Sequence, residues 1–290
     1  MSNQIILKFS GSLAPNDQIT ARTLSHSLQS LQRAVDKIVI YETRQSLRKF
    51  DSLSSRQYHI ADFIVNQFEP GCIQIPLLNE TAEYIASRFR GILNEPYDLA
   101  ASQQNQLFVP IANQLPAAYN RAINANADRN TQQNLIQNPH VEREYSNVAI
   151  LKEINQLISP MRSAKTDEDD LISLRIADEN VTKDYVFSKS ISRRFNSIVT
   201  SQKLGPETVY EGNLKGLEAS NSVEFPYTGK FISSLTDCEM KLLISTEAAA
   251  LALSPFNLTS ENLRFWGAPM TTYGAFDEVR GNIVFLEFLR

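Results

Sequence analysis

The chain has 290 residues, 42% of them hydrophobic and 21% charged, and at roughly 150 residues per domain this length predicts about two folded domains. The net charge of −4 excludes a protein that coats nucleic acid over its whole surface, although it leaves room for a local basic patch. The two cysteines, Cys72 and Cys238, exclude a disulfide framework and favour a reducing, cytoplasmic location. The first residues lack the pattern of a signal peptide, and no apolar run is long enough to cross a membrane.

The N-terminal part begins with a strand and a helix. Residues 5–9 are a short apolar run that ends at turn residues, which predicts a strand. From Leu24 to Ile38 apolar residues recur every three or four positions, which predicts an amphipathic helix that begins near Asp17 or Thr20.

A hairpin and a second helix are expected next. Two β-prone runs, residues 59–68 and 72–78, flank a Pro-Gly corner and predict the hairpin. Because Pro76 cannot donate to a ladder, the second strand either lies at a sheet edge or ends there. Apolar spacing predicts a helix over residues 81–93, so residues 1–93 form a small mixed α/β, sandwich-like unit.

The segment from residue 94 to 170 is rich in amides and poor in charge. Two prolines, Pro110 and Pro116, predict a helix that is broken or that begins at a proline, and the apolar spacing over residues 141–158 predicts another helix. Residues 124–139 have the composition of a mobile loop. We expect a helical connector whose amides present a hydrogen-bonding surface to another subunit or to a copy of the same chain. Its amides are densest over residues 103–138, where they are Gln103, Gln104, Asn105, Gln106, Asn113, Gln114, Asn120, Asn124, Asn126, Asn130, Gln132, Gln133, Asn134, Gln137 and Asn138.

Residues 171–290 are rich in short strands. Runs at 171–176, 208–217, 222–225, 230–235 and 239–245 are separated by Gly and Pro, and residues 246–253 predict one small helix. The last run, residues 283–288, is expected to pair with the run that begins at Leu263. The fold class predicted for the chain is therefore α+β, with a C-terminal unit that resembles a β-barrel.

The residue types that usually carry catalysis are few and scattered. The three histidines, His26, His59 and His140, have no partner at metal-ligand spacing and are assigned to the surface or to caps. His59 and Asp62 form the nearest pair, but on a strand this spacing directs them to opposite faces. The acidic run at residues 167–170 is interpreted as a solvated charge run. We assign no catalytic residue, no metal site and no cofactor.

The strongest functional signal is basic. If residues 188–199 form a helix, Lys189 and Arg193 share a face, and Arg194 follows them. These three residues are the candidate phosphate- or nucleic-acid-binding site. The alternative is that they are solvated charges that keep an acidic protein soluble.

The chain resembles a widespread group of uncharacterised bacterial proteins. The resemblance rests on the opening strand, the helix Ser-Leu-Gln-Ser-Leu-Gln-Arg-Ala-Val-Asp at residues 27–36, the Pro70-Gly71 hairpin and Tyr-Glu-Gly-Asn-Leu-Lys-Gly-Leu at residues 210–217. The chain departs from the group in having Cys72 after the hairpin corner, where the group often has Ser. The resemblance implies an accessory protein of mobile-element or phage-defence loci and implies no catalytic residues.

Three functions are open at this point. The first is a non-enzymatic binding or assembly protein, a subunit of a homo- or hetero-oligomeric complex. The second is a nucleic-acid or nucleotide-binding protein that uses Lys189, Arg193 and Arg194. The third is a hydrolase with a site around His59, Asp62 or the acidic run.

Overall fold

A computed structural model describes residues 4–63, 66–69, 72–76, 82–102, 108–177, 181–259 and 261–289. The fold is α+β, as the sequence predicts, with an N-terminal sheet, central helices and a five-stranded C-terminal β-barrel. Within the described residues, no helix is long and apolar enough to span a membrane.

Helices and strands alternate along the chain. The helices are α1 (Ala21–Arg44), α2 (Tyr58–Ala61), α3 (Ala82–Ala101), α4 (Ile111–Asn124), α5 (Gln132–Ile136), α6 (Pro139–Leu157), α7 (Lys189–Val199) and α8 (Glu247–Leu253). The strands are β1 (Gln4–Ser10), β2 (Asn66–Glu69), β3 (Cys72–Pro76), β4 (Leu171–Ala177), β5 (Thr182–Phe187), β6 (Gln202–Leu204), β7 (Thr208–Ala219), β8 (Tyr227–Ser233), β9 (Glu239–Ile244), β10 (Leu263–Thr272) and β11 (Ile283–Phe288).

The chain forms two compact units, each built from separate stretches of sequence. Unit 1 contains Met1–Leu47, Asp51–Gln106 and Ser146–Thr200, and unit 2 contains Arg48–Phe50, Leu107–Tyr145 and Ser201–Arg290. These units do not follow the three consecutive segments expected from the sequence, 1–93, 94–170 and 171–290. The reason is strand pairing: β4 and β5 follow the connector in the sequence, yet β4 pairs with β1. Composition changes along the chain do not report such long-range pairing.

Unit 1 contains a five-stranded sheet in the order β2-β3-β1-β4-β5, in which all neighbours are antiparallel. The predicted hairpin is present as the β2–β3 pair, whereas its Pro-Gly corner lies outside the described residues. β3 is an inner strand, so the expected sheet edge is wrong, and the expectation that the strand ends at Pro76 concerns residues outside the described part of the chain. Residues 59–61, expected to begin the first strand of the hairpin, instead lie in α2.

Helix α1 begins where capping chemistry predicts. Thr20 is the N-cap, and its side chain accepts a hydrogen bond from the Thr23 amide at 3.2 Å. Leu31, Val35 and Ile38 of the predicted apolar stripe are buried. The stripe is less deeply buried at its start, where Leu24 and Leu28 line an open recess.

Aromatic side chains connect α3, β5 and α7 in unit 1. The Tyr97 ring packs edge-on against Tyr185 and Phe187, and Phe187 packs in the same way against Phe195. The Tyr97 hydroxyl also accepts a hydrogen bond from the Val186 amide at 3.0 Å. Edge-to-face pairs of this kind contribute about 0.5–1.5 kcal/mol beyond the burial of their area.

Unit 2 is the predicted barrel. Its strands follow the order β11-β9-β8-β7-β10, and the ring closes because β10 also pairs with β11. β6 pairs with β10 outside the closed ring, and β9 and β11 are parallel. The expected pairing of the last run with the run from Leu263 is confirmed. The expected strand at 222–225 is absent: those residues lie in the β7–β8 connection, where Phe225 is buried.

The barrel wall has an apolar core on each side. Inside the barrel, Phe231, Phe265 and Phe285 pack with residues of α8. Outside it, Trp266 and Val284 pack with the buried face of α4. This two-sided packing explains why β11 is apolar at consecutive positions and does not alternate with polar residues.

Candidate functional site

The three predicted phosphate-binding residues lie in different surroundings. The N-cap of α7 is Ser188, and the first residue of the helix, Lys189, donates to the carbonyl oxygen of Thr166. The Arg194 Nε donates to the Ala100 carbonyl oxygen at 2.6 Å. Arg193 is the exposed residue of the three. Two of the three cations therefore bind backbone carbonyls of unit 1.

The histidines occupy surface positions. His26 is exposed, and its Nε2 lies 3.0 Å from the carbonyl oxygen of Gln156 and 3.0 Å from the Ser159 hydroxyl. His59 lies on α2 and His140 lies on α6, and both are exposed. Among the residues that the structure describes, no group of three or more His, Cys, Asp or Glu side chains could hold a metal ion.

The acidic run is only partly the solvated run that the sequence predicts. Residues 167–169 are exposed, whereas Asp170 is buried against the turn at the end of β1. Its carboxylate accepts hydrogen bonds from the amide and the hydroxyl of Ser12 and from the Asp167 amide. Burial alone would raise the pKa of Asp170, but these hydrogen bonds outweigh it and lower that pKa.

The predicted mobile loop at residues 124–139 contains an ordered helix, so that expectation is wrong. α5 begins after Thr131, whose hydroxyl accepts from the Asn134 amide, and Asn130 O accepts from the Val209 amide at 2.7 Å. Gln132 is buried at the end of the barrel, where its Oε1 accepts from the Ser233 hydroxyl at 2.6 Å and its Nε2 donates to Glu278 O at 3.1 Å. These hydrogen bonds outweigh the loop-forming tendency of the local composition.

A buried ionic cluster lies in unit 2, and nothing in the sequence analysis indicated it. Arg48 forms a salt bridge with Glu278, whose side chain is inaccessible to solvent, and its Nη2 lies 3.6 Å from Glu142 Oε1. Asp277 accepts from the Lys49 amide at 2.7 Å and from the Val279 and Arg280 amides. The cluster thus holds residues 48–50 against the connection between β10 and β11.

The pKa values of Glu278 and of the neighbouring Tyr210 are raised. Burial raises the pKa of Glu278, and the nearby Arg48 only partly offsets this effect. Burial, together with the charge of Glu278, also raises the pKa of the Tyr210 hydroxyl. Glu278 Oε2, Glu142 Oε1 and Tyr210 Oη are buried and have no hydrogen-bond partner among the described residues. The protonated form of Glu278 is therefore favoured more than that of an exposed glutamate.

In contrast to this buried ionic cluster, α8 carries an exposed apolar surface. Thr246 caps this helix by accepting from the Ala249 amide at 3.2 Å, and Ala250 and Leu253 pack into the barrel interior. Leu251 is 66% exposed and borders a recess of about 260 Å³ that we name the α8 recess. The α8 recess is lined by Leu217, Glu218, Ala219, Tyr227, Glu247, Ala250, Leu251 and Ser254.

A second recess of about 300 Å³ lies beside α5. It contains the amide side chain of Gln133 and the pair Glu211 and Arg264, whose charged atoms are 3.8 Å apart. Leu235, which is 51% exposed, lies at the same recess. The two charges of this recess have opposite signs.

The sequence predicts the helix α8 and could also have indicated its exposed apolar surface, but it could not have indicated the ionic cluster. The segment Ala-Ala-Ala-Leu-Ala-Leu-Ser-Pro-Phe at residues 248–256 has no charge, and such a segment on a short helix is a signal for apolar contacts on more than one face. Arg48 and Glu278 are separated by 230 residues, so no local pattern relates them. Comparisons of the chain with protein-family models, with curated proteins and with solved structures found no match.

Proposed function

We propose that the protein is a non-enzymatic binding and assembly protein, a subunit of a homo- or hetero-oligomeric complex, and that the α8 recess is a contact surface for another protein. The observation that carries the proposal is Leu251, a large apolar side chain that is mostly exposed beside a recess with aliphatic and aromatic walls. From the resemblance to proteins of mobile-element and phage-defence loci, we also propose that the complex acts in such a bacterial setting.

The physical support is the combination of exposure and shape. A single exposed leucine is ordinary on a protein surface. Here Leu251 lies about one turn from the exposed Ala248, is followed by the exposed Ala252, and lines the same recess as Leu217 and Tyr227. Burying one leucine side chain contributes about 1.5–3 kcal/mol, so covering this surface with a partner would supply a useful part of a binding free energy.

The amide-rich segment supports the proposal in a limited way. Gln114 and Gln132 are used inside unit 2, where they bind backbone groups or the Ser233 hydroxyl. Asn113, Asn120 and Gln133 are exposed. These exposed amides suit the polar rim of a reversible interface.

The test is the mass of the native particle, measured by light scattering on protein purified alone and on tagged protein isolated from its host. We expect the particle from the host to contain more than one chain and Leu251→Asp to release the companion chain, because a carboxylate in the recess opposes burial. Leu235→Asp is the matched control, since Leu235 is also an exposed leucine of unit 2, and it should leave the particle unchanged. A monomer without companions from both sources would contradict the proposal.

A further inference from the structure

Arg162 of unit 1 is a half-buried arginine whose hydrogen-bond partners in the described chain are all neutral. It ends the short turn at residues 159–162 that follows α6. Its Nη1 donates to Asn155 Oδ1 at 3.0 Å and to the Ser192 hydroxyl at 3.3 Å. Its Nη2 donates to the Asn155 carbonyl oxygen at 3.1 Å. These contacts hold the guanidinium in place but do not neutralise its charge.

The surroundings of Arg162 do not supply the missing negative charge. Burial lowers the pKa of its guanidinium, and no carboxylate of the described residues offsets this effect. The half-buried Arg48 of unit 2 is the contrast: burial opposes its charge too, but Glu278 and Glu142 outweigh burial and raise its pKa. Because an arginine in a protein keeps its proton, the charge of Arg162 can be balanced only by an anion from outside the described chain.

One edge of the Arg162 guanidinium is free to bind such an anion. The three hydrogen bonds leave Nε–H and one N–H of Nη2 unused. Nε is accessible to solvent and has no acceptor among the described residues. Since Nη1 and Nη2 both donate to Asn155, they use the end of the guanidinium that points away from Nε. The unused N–H groups therefore lie side by side, and we name this pair the Arg162 edge.

Arg175 in the same unit shows what this edge of a guanidinium binds. Its Nε donates to Asp184 Oδ1 at 2.6 Å, and its Nη2 donates to Asp184 Oδ2 at 3.0 Å. The two oxygens of one carboxylate thus occupy in Arg175 the edge that is free in Arg162. Bidentate pairs of arginine with a carboxylate or a phosphate are among the strong hydrogen-bonded pairs of proteins.

Buried polar groups hold the Arg162 edge in position. Ser192 is 0% exposed and Asn155 is 4% exposed. The Ser192 hydroxyl donates to the Ile158 carbonyl oxygen at 3.3 Å, and Asn155 Nδ2 donates to Asn196 Oδ1 at 2.9 Å. The acceptors of the Arg162 hydrogen bonds are therefore fixed themselves. A guanidinium that is already positioned loses little conformational freedom when a ligand binds.

We propose that the Arg162 edge binds the oxyanion group, a carboxylate or a phosphate, of a small-molecule ligand. Two oxygens of the ligand would accept from Nε and Nη2, as the Asp184 carboxylate does at Arg175. Arg162 also binds a carbonyl oxygen in the last turn of α6, which is a structural role. That role does not use the Arg162 edge. The site lies in unit 1, whereas the α8 recess lies in unit 2, so the inference goes beyond the proposed function.

The number of cations favours a small ligand over nucleic acid. Proteins hold a nucleic-acid backbone with several lysines or arginines, each of which binds a phosphate. Among the three basic residues of α7, Lys189 and Arg194 donate to backbone carbonyls, and Arg193 is exposed. A ligand with a single oxyanion group instead matches the single uncompensated charge of Arg162.

The test follows the arginine Nε–H signals of the full chain by heteronuclear NMR at constant ionic strength. The probes are sodium phosphate, sodium acetate and sodium chloride. We expect phosphate, acetate or both to shift the Arg162 signal in a saturable way at millimolar concentration, because each has two oxygens that fit the edge. Chloride, a single atom, should not. The Arg175 signal is the internal reference, since Asp184 occupies its edge.

Two variants separate the edge from simple charge. Arg162→Lys keeps the positive charge but lacks the paired N–H groups, so it should bind the effective anion at least about tenfold more weakly. Arg193→Gln removes an exposed cation of α7 and should leave binding unchanged. If Arg162→Lys fails to fold, through-bond assignment of the Arg162 signal in the unmodified chain still decides the outcome.

Three results would overturn the inference. The first is the absence of a saturable shift of the Arg162 signal with either phosphate or acetate. The second is a loss of binding in Arg193→Gln as large as that in Arg162→Lys. The third is an oligothymidylate that binds through Arg162 at least about tenfold more tightly than phosphate does, which would assign the site to nucleic acid.

Discussion

At the scale of single residues, Gly11 packs against Asp170, and the local sequence predicts only one of these two partners. The sequence predicts that Gly11 lies in a turn, and its φ of +72° is in the left-handed region that favours glycine. The partner is not local: a Cβ at this position would lie 2.1 Å from Oδ1 of Asp170, which belongs to the last of the three stretches of unit 1. The turn residue could be predicted, whereas the carboxylate that packs on it could not.

Gly11→Ala should destabilise unit 1 by about 2–3 kcal/mol, because alanine is strained at this φ and its methyl group collides with Asp170. Gly91→Ala is the matched control in the same unit: Gly91 lies within α3 and a Cβ there meets nothing within 4 Å. The control should stabilise the protein by about 0.5–1 kcal/mol through helix propensity. Hydrogen exchange of β1 amides in both variants measures the effect, and equal stability of the two variants would contradict the assignment.

At the scale of elements, α5 is a helix in a segment whose composition predicts a loop. The amide-rich residues around it are typical of a loop. Yet Gln132 lies inside the end of the barrel, where both ends of its amide are bound, while the next residue, Gln133, is exposed. Neighbouring glutamines thus have different roles, and nothing in their local sequence distinguishes them.

Gln132→Ala should lower the free energy of unfolding of unit 2 by about 2 kcal/mol, because it leaves the Ser233 hydroxyl and Glu278 O without the amide. Gln133→Ala should change that free energy by less than about 0.5 kcal/mol. Urea unfolding followed by Trp266 fluorescence compares the two variants directly. If both variants unfolded at the same urea concentration as the unmodified chain, α5 would not contribute to the stability of the barrel.

At the scale of the whole molecule, Asp170 of unit 1 and Glu278 of unit 2 have pKa shifts of opposite sign. In unit 1 the folded pKa of Asp170 lies below its ordinary 3.8, so the stability from its hydrogen bonds is present above pH 3.8 and is lost as the pH falls through the folded pKa. In unit 2 the folded pKa of Glu278 lies above its ordinary 4.5. Its protonation therefore favours folding fully below pH 4.5, and this contribution is lost as the pH rises through the folded pKa.

Asp170→Asn and Glu278→Gln should therefore respond to pH in different ways. The stability advantage of the unmodified chain over Asp170→Asn should shrink below pH 3.8. Relative to Glu278→Gln, the unmodified chain should become more stable as the pH falls toward 4.5. Hydrogen exchange in β1 follows unit 1, and denaturant unfolding monitored by Trp266 follows unit 2. A pH-independent difference for either variant would contradict the corresponding pKa shift.

Local periodicity and capping were enough to predict most elements and the α+β class. The α1 stripe, the small helix at residues 246–253 and the barrel-forming strands follow from interactions between residues that are close in sequence. Tertiary structure alone decided that β4 joins the first sheet, that α5 docks onto the barrel and that Arg48 meets Glu278. Each of these contacts joins residues more than 100 positions apart, and it forms because burial and hydrogen bonding together outweigh local preference. The α8 recess combines both origins: its apolar helix is predicted from the sequence, and the recess exists only because β7, β8 and α8 meet.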